Sequence, residues 1–149
     1  MADHIGFLTG DVSRLLRRAF DARAREIGVT RTQWRMLTNL ARNEGINQGQ
    51  LAELLDVEPI TLCRMVDKLS EAGLVERHPD PADRRAWRIH LSERARPILD
   101  QVRSIGDGLL DDALAGFAPA EREQLSDLLA RMRDNLVATE RNQRKSANG

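Results

Sequence analysis

The fold is decided by residues 47–91, which read NQGQLAELLDVEPITLCRMVDKLSEAGLVERHPDPADRRAWRIHL. Asn47 stands three residues before a glutamine, a capping-box spacing that predicts the start of a short helix. A second helix is predicted from Pro59, which the first helical turn tolerates, to the residue before Gly73, which is typical of a helix end. Two helices joined by the tight turn at 56–58 form a helix-turn-helix.

A β-hairpin is predicted directly after these helices. Residues 74–78 and 86–91 read as short strands, and the segment between them is rich in turn formers and ends in two arginines. A hairpin in this position is a wing. The sequence therefore predicts a mainly α fold with a small β-wing, in which a winged helix-turn-helix spans residues 30–91.

Helices are predicted on both sides of this segment. Residues 4–27 carry apolar side chains at helical spacing, and Thr30 begins the next helix with a capping-box glutamine three residues later. Downstream, we expect Ser92 to cap a long helix that bends near Gly106, and Pro119 to begin a last helix with one apolar stripe. No internal repeat is present.

Composition limits the class of protein. The chain has 149 residues, no apolar run long enough to span a membrane and a single cysteine, so we expect a soluble cytoplasmic protein without an internal disulfide. The net charge is zero, but residues 14–35 hold seven arginines against two acids, whereas residues 100–134 hold eight acids against four arginines. Such a division fits a protein that meets phosphate on one side, and it also fits solvated helix faces.

The helix that begins at Pro59 has two distinct faces. At about 100° per residue, one side collects apolar residues that should pack on the domain. The other side collects residues that can contact base edges: an arginine can fork onto guanine, and an isoleucine can meet a thymine methyl. These candidate DNA contacts are Ile60, Thr61, Arg64 and Lys68.

Arginines at the wing tip are the second candidate contact. Adjacent like charges repel each other, but they suit a narrow, electronegative minor groove. We expect Arg85 to enter that groove and Arg84 to contact phosphate or to pair with Asp83 or Asp67. Other candidate backbone contacts lie at helix N-termini and after the wing: Thr30, Arg31, Thr32, Asn47, Gln48 and Arg88. A surface salt-bridge cluster is the alternative interpretation of the wing arginines.

The segment from the second helix to the wing resembles the MarR/SlyA family of transcriptional regulators. The resemblance rests on Leu69-x-x-x-Gly-Leu-Val-x-Arg77, on Asp83-Arg-Arg85 and on the Leu-Ser pair that ends at Ser92. Trp34-Arg35 and Ala86-x-Arg-Ile89 are most similar to the SlyA-like branch. The likeness extends over nearly the whole chain, from about residue 5 to about residue 136.

The resemblance implies an obligate homodimer. Helical regions at 1–29 and 92–140 would form the dimer, residues 30–91 would bind DNA, and residues 141–149 would be a flexible tail. The apolar stripes of the last two helices agree, because one small winged domain cannot bury them alone. The operator would be a pseudo-palindrome with half-sites about 10 bp apart.

The resemblance also implies a repressor that a small aromatic acid or phenol releases from DNA. The ligand would hold the two winged segments of the dimer at a separation that does not match the operator. Its pocket would use Arg14, Arg17, Arg18, Trp34 and Met36, although a tryptophan at position 34 is more often simply a core residue. Two alternatives stay open: a SlyA-like activator that displaces a silencing protein, and a winged-helix interaction module that does not bind DNA.

Several positions depart from the family pattern. Ile60 stands where relatives often carry proline or a small polar residue, and Trp87 replaces a commonly basic residue, so it would stack on a sugar or brace the wing. Cys63 is expected to be a half-buried structural thiol, with a redox switch as the alternative. No catalytic set, phosphate loop or metal-ligand spacing emerges, so we expect neither an enzyme nor a cofactor.

Overall fold

A computed structural model describes residues 2–147 of the chain. Within that range it has six helices and one two-stranded antiparallel sheet, which confirms the predicted mainly α fold with a small wing. The chain divides into two compact units, of which the first ends at Leu109 and the second begins at Leu110. The elements are α1 Ala2–Glu26, α2 Arg31–Arg42, α3 Gln48–Leu55, α4 Pro59–Glu71, β1 Val75–Pro79, β2 Trp87–Leu91, α5 Ala95–Ala113 and α6 Pro119–Ala147.

Local signals set the ends of the helices in the winged segment. Thr30 and Gln33 form the predicted capping box, since each side chain binds the other residue's backbone N–H. The Asn47 side chain caps α3, and Pro59 occupies the first turn of α4. Gly73 ends α4 with a φ of 74°, a conformation that an L side chain resists.

The wing is a regular antiparallel hairpin. Its register pairs Val75 with Leu91 at the base and Pro79 with Trp87 near the tip. The segment before α3 adds to its edge, because the Ile89 backbone exchanges hydrogen bonds with Gly45 and Ile46. The hairpin is thus joined to the helix-turn-helix through backbone bonds and does not hang free.

One apolar core holds the winged segment together. It collects side chains from α2, α3, α4, both strands and the start of α5, and α4 contributes Leu62, Val66 and Leu69. Burying a leucine or valine side chain stabilises the fold by about 1.5–3 kcal/mol. Because these three residues hold one face of α4 against the core, the opposite face must point outward.

The start of α5 differs from the prediction. The helix begins at Ala95, so Ser92 is not its N-cap. The Ser92 hydroxyl instead donates to the Gly73 carbonyl oxygen and thereby ties the end of β2 to the end of α4. The helix is unbroken through Gly106, where a bend was predicted, and Gly106 lies where an added Cβ would be 3.5 Å from the Phe20 ring.

The second unit contains the end of α5 and α6. Pro119 begins α6 as predicted, and Arg122 joins the two helices by binding Asp111 at 3.2 Å and the Leu114 carbonyl oxygen at 3.1 Å. The helix continues to Ala147 and so includes residues 141–147 of the predicted tail; the last two residues of that tail, 148 and 149, lie outside the described part of the chain. None of the described α6 side chains is buried.

Candidate nucleic-acid interface

The outward face of α4 carries the four residues predicted to contact bases. Ile60, Thr61, Arg64 and Lys68 are all exposed, and the Ile60 side chain is 64% exposed although it is apolar. On the opposite face Leu62, Val66 and Leu69 are buried, as the helical periodicity predicts. The face is therefore a short row of one apolar, one hydroxyl and two cationic side chains.

A cleft of about 480 Å³ lies between this face and the start of α2. Thr61, Arg64 and Lys68 line one wall, and Thr30 and Thr32 line the other. The structure thus brings together residues from two of the predicted sets. Thr30 is already engaged in capping α2, whereas Arg31 lies 3.7 Å from Asp21 as an ion pair at the surface.

Two aspartates shape the wing tip. The Asp80 carboxylate accepts a 2.8 Å bond from the Ala82 backbone and binds Arg88 at 3.2 Å. The Ala82 bond has the largest effect and lowers the pKa of Asp80; burial opposes it by raising the pKa, and the Arg88 guanidinium then lowers the pKa further. Asp83 accepts a 2.9 Å bond from the Arg85 backbone N–H. These Asx-type turns fix the tip backbone that presents Arg84 and Arg85.

Four cationic side chains on α4 and the wing tip are unpaired within the part of the chain that the structure describes. Among the described residues, no hydrogen bond or ion pair involves the side chains of Arg64, Lys68, Arg84 or Arg85. The alternative that Arg84 pairs with Asp67 or Asp83 is therefore wrong, because Asp67 binds Arg77 and the Asp83 side chain binds a backbone N–H. Nothing in the described chain neutralises these charges.

Arg77 is the organising residue that the sequence interpretation missed. From β1 it binds Asp67 of α4 at 2.6 Å, the Cys63 carbonyl oxygen at 3.3 Å and the Gln48 side chain at 3.3 Å. Cys63 is half-buried beside it, as predicted. Arg77 thus connects the wing, α4 and the start of α3. The sequence signal for this role was its position between the apolar run of α4 and the two arginines of the wing tip.

The residues predicted to form a ligand pocket do not all meet. Met36 is fully buried in the main core, where helical periodicity turns it inward beside Leu37 and Leu40, and its assignment to a ligand pocket stays a prediction. The Trp34 indole N–H donates to Asp21 at 2.7 Å, and its ring lies 4.4 Å from that of Phe20.

The three α1 arginines predicted for the pocket contact residues other than Trp34 and Phe20. Arg14 pairs with Asp11, and Arg17 binds the Ser13 carbonyl oxygen one turn before it. Arg18 lines an open cleft of about 330 Å³ with Asp21, Thr30 and two arginines that the sequence interpretation did not group with it, Arg25 and Arg31.

In the described part of the chain, no three His, Cys, Asp or Glu side chains lie where they could hold a metal ion. No helix within residues 2–147 is both long and apolar enough to cross a membrane.

Comparison with known proteins places this geometry in a family. A family model described as the MarR family matches residues 27–86. The crystal structure of the transcriptional regulator PA3341 is similar at 32% identity and a TM-score of 0.78, covering 90% of this chain and 98% of that one. The transcriptional regulator SlyA is similar at 30% identity and a TM-score of 0.74, covering 89% and 93%.

A third relative was crystallised on DNA. A mutant MarR from E. coli complexed with operator DNA is 26% identical, with a TM-score of 0.71, and the match covers 86% of this chain and 92% of that one. The matched regions include the helix-turn-helix and most of the wing described above. This chain belongs to the MarR family of winged helix-turn-helix transcriptional regulators.

Proposed function

We propose that this protein is a homodimeric, sequence-specific DNA-binding repressor. The observation that carries the proposal is the set of four unpartnered cations on α4 and the wing tip, within the fold of a relative crystallised with operator DNA. Exposed cations without internal partners are available to phosphates and base edges, and binding them to DNA releases condensed counterions. An interaction module without DNA binding would have no need to leave them unneutralised.

Base recognition falls to the outward face of α4. Arg64 can donate two parallel hydrogen bonds to guanine O6 and N7, and Thr61 can bond to a base or a phosphate. Ile60 is exposed near the helix N-terminus, where recognition helices meet base edges, and its side chain fits a thymine methyl. Lys68, two turns beyond Thr61, is suited to phosphate at the groove edge.

Minor-groove contact falls to the wing. Arg85 is the side chain proposed to enter the groove, with Arg84 on phosphate. Arg88, predicted as a direct contact, is bound to Asp80. We therefore propose that it supports the tip and meets DNA only at its periphery.

Phosphate contacts from helix N-termini complete each half-site. Thr32 is exposed at the start of α2 and lines the cleft that also holds Arg64. Asn47 and Gln48 use their side-chain oxygens within the protein, so we propose that they offer phosphates their side-chain amide N–H groups. The Thr30 backbone N–H is bound to Gln33, so we propose that Thr30 offers its hydroxyl hydrogen. Arg31 is exposed and paired with Asp21 only at 3.7 Å, so it can exchange that partner for phosphate.

Dimerisation is proposed for the helices at 1–29 and 92–140. In the first unit, α1 exposes Ile5, Leu8, Val12 and Leu15, spaced by three and four residues along one stripe. In the second unit, α6 exposes Leu128, Leu129, Met132, Leu136 and Val137. Monomeric proteins rarely expose apolar stripes of this length, and helix seams of this spacing are typical of helix–helix interfaces.

Release by a small aromatic acid or phenol is the proposed mode of regulation. A carboxylate or phenolate fits beside cationic groups, and Arg18 shares an open cleft with Arg25 and Arg31. Trp34 is three residues after Arg31 and packs against the small apolar cluster that contains Ala24 and Val29. Arg14 and Arg17 are exposed on the preceding turns of α1. Release requires that the ligand bind the DNA-incompetent form more tightly.

The experiment that tests the proposal is footprinting of the region upstream of the protein's own gene, followed by binding to the protected duplex. Arg64→Ala should lose the preference for the protected duplex over a scrambled one. Arg103→Ala, which removes an exposed α5 arginine paired with Asp100, is the matched control and should keep it. Equal binding of the wild type to both duplexes would refute sequence-specific recognition.

A further inference from the structure

A second cleft in the winged segment shares no lining residue with the cleft beside α2, and three of the proposed DNA contacts lie along it. It encloses about 380 Å³ between the wing and the N-terminal ends of α3 and α4. Its walls come from three separate elements, and its largest side chain is an indole. The lining residues are Asn47, Gln48, Gly49, Pro59, Asp83, Arg85, Ala86 and Trp87.

Trp87 faces this cleft because of strand alternation. Side chains two residues apart in a strand point to the same face, so Trp87 shares its face with Ile89 and Leu91. Ile89 and Leu91 are buried in the core, but Trp87 is 45% exposed. The hairpin extends beyond the core at this point, and the indole is not among the apolar side chains that form the core.

The cleft lies between the two predicted DNA-reading elements. Pro59 begins α4, whose outward face is assigned to a major groove, and Arg85 lies on the wing tip assigned to the adjacent minor groove. In duplex DNA a single sugar–phosphate strand separates a major groove from the neighbouring minor groove. If both elements occupy their grooves, that strand must pass between them.

We propose that this cleft holds one sugar–phosphate strand and that Trp87 packs on a deoxyribose within it. The inference rests on the proposed DNA-binding function. The chemistry of the walls fits, because Trp87 and Pro59 offer apolar surface to the sugar, and the unpartnered Arg85 can extend from the cleft into the adjacent minor groove assigned to it. The one acidic lining residue, Asp83, binds the Arg85 backbone N–H and so has its carboxylate partly satisfied.

A sugar contact has a distinctive signature in binding. Deoxyribose is common to all sequences, so Trp87→Ala should weaken operator and scrambled duplexes by the same factor. That factor should be about tenfold, since burying roughly 55 Å² of indole at ~25 cal/mol per Å² is worth about 1.4 kcal/mol. The salt dependence should be unchanged, because no charge is lost. Trp87→Phe should retain most of the affinity.

A role confined to bracing the wing predicts something different. If Trp87→Ala disordered the wing, the Arg85 contact would be lost with it and the salt dependence would become shallower. A shallower slope, an effect restricted to the operator, or an unchanged affinity would each overturn the proposal. Failure of wild-type protein to bind any duplex would instead refute the DNA-binding function itself.

Fluorescence gives a direct readout on the intact protein. The chain has two tryptophans, so Trp87→Phe leaves only Trp34 and serves as the blank. Acrylamide quenching of wild-type emission should fall when a duplex binds, and quenching of Trp87→Phe should not change. Quenching of the wild type that stays constant while anisotropy of a labelled duplex reports binding would contradict a strand in the cleft.

Discussion

Arg77 Nη2 lies 2.6 Å from Asp67 Oδ1, an ion pair that joins the first strand of the wing to the recognition helix. The same guanidinium binds the Cys63 carbonyl oxygen and Gln48, so β1, α4 and α3 of the winged segment are joined through one side chain. Charge-assisted bonds of this kind are stronger than neutral ones. The separation between α4 and the wing tip therefore depends on a residue that need not contact DNA.

Removing that connection should reduce both stability and DNA affinity. Arg77→Ala leaves Asp67 without its partner, and we expect a loss of about 2 kcal/mol in the free energy of unfolding, measured by urea titration. Arg77→Lys should recover part of it, since an ammonium reaches one partner but cannot fork to three. Arg103→Ala removes an exposed pair and should change stability by less than about 0.5 kcal/mol. A full-stability Arg77→Ala would contradict this role.

Acid should loosen the wing through Asp80. Its pKa is lowered in the folded protein by the Ala82 backbone bond and by Arg88, so the stabilisation is present above the ordinary value of 3.8 and is lost as pH falls through the folded-state pKa. Carboxyl NMR signals should place the Asp80 midpoint below 3.8, with tip amide signals following it. In Asp80→Asn the tip signals should lose this titration. A midpoint at or above 3.8 would contradict the assignment.

Arg85→Ala should weaken DNA binding without changing the oligomeric state. In a dimer it removes two groove or phosphate contacts, so the slope of log K against log salt should become shallower by about 1.8. Binding is measured by anisotropy and mass by sedimentation velocity. Arg133→Ala, which removes an exposed arginine of α6, is the control for a simple loss of positive charge. An unchanged operator affinity in Arg85→Ala would refute the wing assignment.

Leu128→Asp should dissociate the dimer and abolish tight operator binding together. Leu128 is 50% exposed on the apolar stripe of α6, and a buried unpaired carboxylate would be costly at an interface. Ala138→Asp introduces the same charge on the side of the helix turned away from this stripe and should leave the dimer intact. A monomeric Leu128→Asp protein that still bound the full operator tightly would show that α6 is not part of the functional interface.

Local signals made much of the fold predictable. The capping box at Thr30, the proline at the start of α4 and the apolar periodicity of α4 each depend on residues within one or two turns, so the sequence displays them directly. The outward set of Ile60 and Arg64 follows from the same periodicity, because a buried face defines its opposite.

Contacts between residues that are distant in sequence were harder to predict. Ser92 resembles a helix cap, but its hydroxyl binds Gly73, nineteen residues away in sequence, and only the folded hairpin brings them together. Arg77 could have faced solvent or partners, and its three partners lie on two other elements, α3 and α4. Met36 has the chemistry of a pocket residue, but its place on the inner face of α2 buries it.

The central claim is that the protein binds DNA as a dimer and that the unpartnered cations on α4 and the wing contact its phosphates and bases. The most direct measurement is the affinity of wild-type protein for the footprinted duplex as salt rises from about 50 to about 200 mM. With about six phosphate contacts per dimer, affinity should fall roughly 10³-fold over that range. Affinity that is flat with salt, or no binding at the lowest salt, would contradict the account.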